Sequence, residues 1–113
     1  MPDQGDILLV PIPFTDLSSQ KRRPVIVISN NAYNQTSSDL VVVAMTSNPV
    51  EVDSSFTIVT SDLVKGTLNH PGKVRVDKIY AISKSIVVKT FGRVNEKVLE
   101  RIREELSALT GSK

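Results

Sequence analysis

The sequence predicts a mainly β protein, a small antiparallel barrel or sandwich that ends in one amphipathic helix. Three observations predict this fold class. Five or six short aliphatic segments alternate with turn-forming residues. No long helical pattern lies between these segments, which disfavours a parallel sheet built from alternating strands and helices. Only the C-terminal segment repeats its apolar residues at the spacing of a helix.

Four aliphatic segments in the first half of the chain predict strands. They cover residues 7–12, 25–29, 40–45 and 55–60. Pro11 and Pro13 cannot donate backbone hydrogen bonds, so we expect the first strand to lie at a sheet edge or to bend near its end. Residues 14–23 are polar and rich in turn formers, which predicts a loop, and the Asn- and Ser-rich residues 30–38 predict another connection.

The second half of the chain predicts a short helical turn and two more strands. Residues 62–64 fit one helical turn, and residues 69–72 are a strong turn signal. Residues 73–81 alternate polar and apolar side chains until Ile79 falls on the polar side, so we expect the far end of this strand to be buried on both faces. Residues 86–91 predict the last strand.

The C-terminal segment predicts one helix of about four turns. Asn95 is a favourable N-cap, and Gly111 stands where a helix would end. We expect the helix to close the barrel or to lie across its mouth, with its apolar face in the core or in a dimer contact. The residues of that face are Val98, Leu99, Ile102, Leu106 and Leu109.

The composition is that of a single folded domain covering residues 1–113. Hydrophobic residues make up 40% of the chain and aromatic residues 4%, which predicts one mainly aliphatic core. The chain has no cysteine, which excludes a disulfide scaffold, a thiolate nucleophile and a thiolate zinc site. No apolar run approaches the roughly 20 residues that span a bilayer, and the first residues do not form a signal peptide. We expect a cytoplasmic protein that has no membrane association, no cofactor and no metal.

The basic residues are concentrated in two parts of the chain, although the net charge is only +2. Residues 21–23 are all positive, and residues 65–93 contain seven basic side chains against the single acid Asp77. These segments either converge on one face that binds a polyanion or carry ordinary solvated lysines.

A candidate phosphate site lies where two predicted strands end. Arg23 precedes the second strand, and Thr46 follows the third. If these strands pair, the Arg23 guanidinium and the Thr46 hydroxyl face one pocket at the sheet edge, which is suited to hold and strain a phosphodiester. Each residue alone also has a plainer explanation. Arg23 fits a surface ion pair with Asp6 or Asp16, and Thr46 fits a role in the turn that follows it.

The chain resembles the MazF/PemK family of toxins, which belongs to the superfamily of CcdB-like barrels. The resemblance rests on Gly5-Asp6-Ile7, on Arg23-Pro24-Val25, on Thr46-Ser47, on residues 74–79 with Gly92, and on the final helix. It covers nearly the whole chain in order. It implies an SH3-like β-barrel closed by the C-terminal helix, a homodimer, and a cognate antitoxin. It also implies metal-independent, sequence-specific cleavage of single-stranded RNA, usually messenger RNA.

The resemblance also implies roles for particular residues. Arg23 matches the catalytic arginine before the proline, and Thr46 matches the hydroxyl residue that stabilises the transition state. Arg75 and Asp77 match a pair implicated in acid–base roles, and Asp77 is the candidate base. Without the resemblance, that pair fits a local ion pair on a solvated strand. The PemK-like branch also uses a histidine in the first loop, which is absent here; His70 fits a turn residue instead.

We expect the first loop and the basic strands to bind RNA. The loop side chains can read unstacked base edges, while the basic side chains follow the phosphate backbone. An antitoxin would insert an acidic, apolar segment into the same groove. The expected contacts are Phe14, Thr15, Ser18, Ser19, Gln20, Lys21, Arg22, Ser47, Asn48, Lys73 and Lys78.

Two other functions fit the same barrel. A CcdB-like relative poisons DNA gyrase by binding it, and the Arg23 and Thr46 pattern argues against that function. A barrel-type module that binds RNA without cutting it needs only the basic strands.

Overall fold

The computed structural model describes residues 2–11, 22–47 and 52–112. These residues form seven strands and two α-helices. The strands are β1 (Asp6–Val10), β2 (Arg23–Val27), β3 (Asp39–Thr46), β4 (Ser55–Ile58), β5 (Leu63–Lys65), β6 (Gly72–Ser83) and β7 (Lys89–Val94). The helices are α1 (Asn31–Thr36) and α2 (Glu96–Thr110), and the 3₁₀ turns are Thr60–Asp62 and Lys84–Ile86. Neither α-helix in these ranges is long and apolar enough to cross a membrane.

The described strands form one antiparallel sheet. Their order is β4-β6-β3-β2-β1-β7-β5. The long strand β6 pairs with both β3 and β4, and the ladder is irregular in three places, which accompanies strong twisting. The sheet curls into a half-barrel that α2 closes, so the predicted fold class is confirmed.

Both faces of the sheet are covered by apolar side chains. Successive residues of a strand point to opposite faces, so an uninterrupted aliphatic strand supplies two cores at once. The cluster beneath α2 includes Ile7, Ile26, Val43, Met45, Phe56, Ile58, Val74 and Val76. The cluster on the opposite face contains Leu8, Val10, Val25, Val27, Leu40, Val42 and Ile82. Tyr80, Ile86 and Val87 pack against this second cluster.

The C-terminal helix begins and ends as predicted. The Asn95 side chain accepts a hydrogen bond from the backbone N–H of Val98 at 3.0 Å, and the helix stops at Thr110, before Gly111. Val98, Leu99 and Ile102 are buried in the first cluster. Burial of each of these side chains contributes about 2 kcal/mol to stability, so the helix is held by its apolar face.

Of the two alternatives predicted for the first strand, the edge position is wrong. β1 pairs with β2 on one side and with β7 on the other. The strand ends at Val10, so Pro11 falls outside the ladder and removes no hydrogen bond from it.

The connection predicted at residues 30–38 contains a helix, α1. Asn30 accepts a hydrogen bond from the backbone N–H of Tyr33 at 2.8 Å and therefore caps this helix. The amide of Asn34 is buried and donates to the backbone carbonyl of Ser29 at 2.9 Å. Asn and Ser residues are common both in loops and at helix caps. The local composition therefore does not distinguish this short capped helix from a loop.

Three predictions for the second half of the chain are also wrong in detail. The helical turn is Thr60–Asp62, and residues 63–65 form β5 instead. The last strand is Lys89–Val94 rather than residues 86–91, and Ile86 ends the second 3₁₀ turn instead. Ile79 is 42% exposed, so the far end of β6 is not buried on both faces. A bulge explains this: Val43 opposes Ile79 while Ala44 opposes Arg75, which leaves three residues of β6 unmatched.

Candidate functional site

The sheet register brings the predicted phosphate residues to one end of neighbouring strands. Arg23 is the first residue of β2, and Thr46 is the last residue of β3. The last pair of the β2–β3 ladder is Val25 with Ala44, and the same register continued for two more residues would place Arg23 opposite Thr46. On the other side of β3, Thr46 pairs with Lys73 of β6. The two residues therefore lie at neighbouring strand ends, as expected from the sequence.

These side chains share the face of the sheet that points away from α2. Arg23 lies two residues before Val25, which belongs to the second cluster, so both point to that face. Thr46 lies four residues after Val42 of the same cluster and shares its face. Residues that oppose each other on neighbouring strands share a face, so Lys73, which opposes Thr46, also lies on this face. Arg23 and Thr46 are half-buried, and the Nε atom of Arg23 is buried.

Arg75 and Asp77 form a two-fold hydrogen-bonded ion pair on the same face. Arg75 Nε donates to Asp77 Oδ1 at 2.9 Å, and Nη2 donates to Oδ2 at 2.8 Å. Hydrogen bonding to Arg75 is the main cause that lowers the pKa of Asp77, and the same bonding raises the pKa of Arg75. Because both carboxylate oxygens accept from one guanidinium, Asp77 is held ionised and is a weak proton acceptor.

Tyr80 is a polar neighbour of this pair that sequence reasoning missed. It opposes Val42 and packs on the second cluster, which places it on the same face. Burial is the main cause that raises the pKa of its phenol; the charge of Asp77 adds to this effect and the charge of Arg75 opposes it. The phenol is therefore protonated at neutral pH. Regular alternation along β6 would place Tyr80 on the opposite face from Arg75 and Asp77. The bulge in β6 shifts the alternation and places it on the same face, and the local sequence pattern does not predict that bulge.

A pocket of about 170 Å³ opens at the same strand ends. Residues 69–72 belong to the lining of this pocket, whereas the sequence predicts only a turn there. The turn signal does not specify that these residues approach the strand ends. We call this cavity the end pocket. It is lined by Pro24, Met45, Thr46, Ser47, Leu68, Asn69, His70, Pro71, Gly72 and Phe91.

The other expected RNA contacts divide into two groups. Arg22 and Ser47 are exposed beside the candidate site. Lys78 lies in the β6 bulge, where its charge contributes to lowering the pKa of Asp77. The remaining expected contacts lie outside the described residues and are Phe14, Thr15, Ser18, Ser19, Gln20, Lys21 and Asn48.

The plainer explanations for these residues have different outcomes. Asp6 accepts a hydrogen bond from Arg93 at 2.7 Å, so its ion pair is formed with that residue. Asp16, the other acid considered for Arg23, lies outside the described residues. Arg75 and Asp77 do form the local pair expected from their spacing. Among the described residues, no group of three or more His, Cys, Asp or Glu side chains is placed to hold a metal ion.

The fold and this site define a small antiparallel barrel whose strand ends carry arginine, lysine and hydroxyl side chains on one face. A family model described as PemK-like, MazF-like toxin of type II toxin-antitoxin system matches residues 3–110, and the chain belongs to that family. The predicted family is thereby confirmed. No curated protein matches the chain by sequence.

Several solved structures share the fold. An endoribonuclease in complex with its cognate antitoxin, from a mycobacterial species, is 24% identical with a TM-score of 0.78, and the match covers 100% of this chain and 98% of that chain. The MazE–MazF complex (Form-III) from Deinococcus radiodurans is 23% identical with a TM-score of 0.78, covering 99% and 98%. The Mycobacterium tuberculosis toxin MazF-mt6 is 17% identical with a TM-score of 0.72, covering 91% and 93%. These likenesses support the barrel fold.

Proposed function

We propose that this protein is the toxin of a type II toxin–antitoxin pair and that it cleaves single-stranded RNA at specific sequences without a metal ion. The observation that carries the proposal is the position of Arg23 at the start of β2 and of Thr46 at the adjacent end of the neighbouring strand β3, beside Lys73 of β6. Family membership supports the same activity, and two of the similar structures are of endoribonucleases from mycobacterial species.

In the proposed reaction the ribose 2′-hydroxyl attacks the adjacent phosphorus. The 2′ oxygen loses its proton to a base or to water and bonds to phosphorus, while the bond from phosphorus to the 5′ oxygen breaks. The leaving 5′ oxygen takes up a proton. The products are therefore a 2′,3′-cyclic phosphate and a 5′-hydroxyl. The protein must stabilise the additional negative charge that develops on the phosphate oxygens.

Arg23 and Thr46 are proposed to stabilise this charge. The Arg23 guanidinium presents several N–H donors in a fixed plane that suits phosphate oxygens, and its high pKa makes it a poor proton donor. The Thr46 hydroxyl donates one more hydrogen bond. Each contact is worth about 3 kcal/mol in the transition state, or roughly a hundredfold in rate.

Arg75 and Asp77 are proposed to act as a unit. The role of Asp77 as the general base stays a prediction. The hydrogen bonds from Arg75 to both of its carboxylate oxygens favour a positioning role instead. Asp77 would fix the guanidinium of Arg75 so that its remaining N–H groups meet a phosphate. The neutral phenol of Tyr80, on the same face, is then a candidate proton donor.

We further propose a cognate antitoxin, a homodimer and a cytoplasmic location. Two of the similar structures are complexes of a toxin of this fold with an antitoxin. An acidic segment of an antitoxin would block the basic face by competing with RNA for Arg23, Lys73 and Arg75. The homodimer remains a prediction, which light scattering of the purified protein measures directly.

The test is incubation of purified protein with a long single-stranded RNA in EDTA. We expect discrete fragments from the wild type and roughly a hundredfold slower cleavage by Arg23→Ala and Thr46→Ala. Arg103→Ala and Thr67→Ala, which replace exposed residues outside the site, serve as matched controls and should cleave normally. Full activity of folded Arg23→Ala would refute the proposed role of that residue.

The same experiment separates the two other functions. Intact RNA in a stable complex with the protein would favour a binding module that does not cut. Intact RNA together with trapped gyrase–DNA complexes in cells that express the protein would favour a gyrase poison.

A further inference from the structure

The end pocket has the size of one six-membered ring. Its volume is about 170 Å³. A cavity of about 150 Å³ in another protein is large enough to hold a benzene ring. A pyrimidine base has a ring of the same size, whereas a purine is larger by a second ring. The volume therefore accommodates one pyrimidine ring.

The lining of the end pocket suits a flat polar ring. One part is apolar and formed by Pro24, Met45, Leu68 and Phe91, against which a base can stack through its π face. The other part is polar. The Asn69 amide supplies both donors and an acceptor, and the His70 imidazole supplies one of each when neutral. A pyrimidine edge carries donors and acceptors in the same plane as its ring, so both parts can be satisfied together.

The position of the end pocket ties it to the candidate phosphate site. Thr46 belongs to both, and Pro24 in the pocket wall directly follows Arg23 in the chain. A base in the end pocket therefore contacts Thr46 and lies at the strand ends where Arg23 and Thr46 are proposed to hold the phosphate. The nucleotide that carries the attacked phosphate, or its immediate neighbour, can place its base there.

Contacts within the protein hold the walls of the end pocket in place. The Thr60 hydroxyl oxygen accepts from the backbone N–H of Leu68 at 2.9 Å and donates to the carbonyl of the same residue at 3.1 Å. These bonds fix the segment that carries Asn69 and His70. The Met45 side chain packs so closely against Gly72 that a Cβ added at Gly72 would lie 2.8 Å from Met45 Sδ. A preformed site avoids part of the entropy cost of binding.

We propose that the end pocket binds one unstacked pyrimidine base of the RNA, next to the phosphate that is cut, with Asn69 and His70 reading its edge. This inference rests on the proposed function, because the base is placed by its link to the phosphate at Arg23 and Thr46. It assigns sequence preference to a turn that is distant in the chain from the first loop.

The test measures binding rather than cleavage. The probe is a short RNA that contains the mapped cleavage sequence and a 2′-deoxy nucleotide at the cut, which removes the nucleophile. Each base near the cut is replaced in turn by an abasic nucleotide, and the Kd is measured for the wild type, for Asn69→Ala with His70→Ala, and for Thr67→Ala. The last variant is a matched control in the same segment but outside the pocket lining.

Loss of one pyrimidine should weaken wild-type binding by about tenfold or more, as loss of a stacked base does in other single-strand binders. This penalty should be about fivefold smaller in the Asn69→Ala, His70→Ala variant, because the hydrogen bonds to the base edge are lost while the apolar wall can still stack, and it should persist in full in Thr67→Ala. The two variants replace three exposed side chains in all, and thermal unfolding checks that each variant is folded.

Three results would overturn the inference. They are an equal penalty in every variant, no penalty at any position, and a sensitive base that is a purine. If the wild type cuts the parent RNA but gives one of these results, only the end-pocket inference fails. If the wild type neither cuts nor binds any RNA, the proposed function fails with it. If the Asn69→Ala, His70→Ala variant binds RNA as the wild type does but binds an antitoxin more weakly, the pocket holds a protein side chain instead.

Discussion

Two arginine–aspartate clusters of this molecule look alike in chemistry and differ in what they connect. Arg93 of β7 donates to Asp6 at 2.7 Å and to Asp3 at 2.9 Å, residues that lie 87 and 90 positions away in the chain. Arg75 donates both of its bonds to Asp77, two positions away on the same strand. The first cluster therefore ties the two ends of the domain together, whereas the second links a strand to itself.

Burial reinforces this difference. Asp6 is only 4% exposed, and its second oxygen accepts from the backbone N–H of Asp3 at 2.8 Å. A buried carboxylate needs such partners, because an uncompensated charge in the interior is costly. The carboxylate of Asp77 is 27% exposed. The Arg75–Asp77 pair therefore contributes less to holding the fold together than the Arg93 cluster does. Because it also lies beside basic and hydroxyl side chains, it is the better candidate for a role in RNA binding or cleavage.

The largest expected effect is on stability, at Arg93. Arg93→Ala should lower the free energy of unfolding by about 3 kcal/mol, because it leaves the Asp6 carboxylate buried without its cation. Urea unfolding followed by circular dichroism measures this loss. The matched control is Arg103→Ala, whose partner Glu96 lies 3.2 Å away on the exposed helix surface and whose loss should cost less than about 0.5 kcal/mol. Equal losses in the two variants would remove the distinction between the clusters.

The next largest effect, at Arg75, should be on RNA cleavage rather than on stability. Arg75→Ala should lower the free energy of unfolding by only about 1 kcal/mol, since the pair joins no distant parts of the chain. RNA cleavage, corrected for the folded fraction, should nevertheless slow by about tenfold if its guanidinium meets a phosphate. Single-turnover rates measure this change. A variant that is strongly destabilised yet fully active would place Arg75 with Arg93 as a structural residue.

The sequence predicted what depends on local pattern. The aliphatic segments marked most strands, and Asn95 with the helical spacing that follows it marked α2. Arg23 and Thr46 could be brought together because both stand at strand ends, where register is simple to extend. The interior position of β1 and the bulge before Ile79 depend on partners far along the chain. The end pocket needs residues 68–72 to meet Pro24 and Phe91, which no local pattern specifies.

The smallest expected effect is a pH dependence at Asp77. Its pKa is lower in the folded protein than in the unfolded chain, where it is about 3.9. The pair's contribution is therefore complete above the unfolded value and is lost as the pH falls through the folded value. The stability difference between the wild type and Asp77→Asn should shrink as the pH is lowered from about 5 to about 2. A difference that stays constant over this interval would contradict a depressed pKa; Glu104→Gln, at an exposed helix position, is the control.

The most direct test of the central claim compares single-turnover cleavage in EDTA by the wild type, Arg23→Lys and Arg23→Ala. We predict about a hundredfold loss for Arg23→Ala and a smaller loss for Arg23→Lys, which keeps the charge but not the planar donor set. We also predict that the wild-type products carry 2′,3′-cyclic phosphate and 5′-hydroxyl ends. Equal rates for the wild type and Arg23→Ala, or products with other ends, would contradict the assignment of Arg23 and Thr46 as the phosphate site.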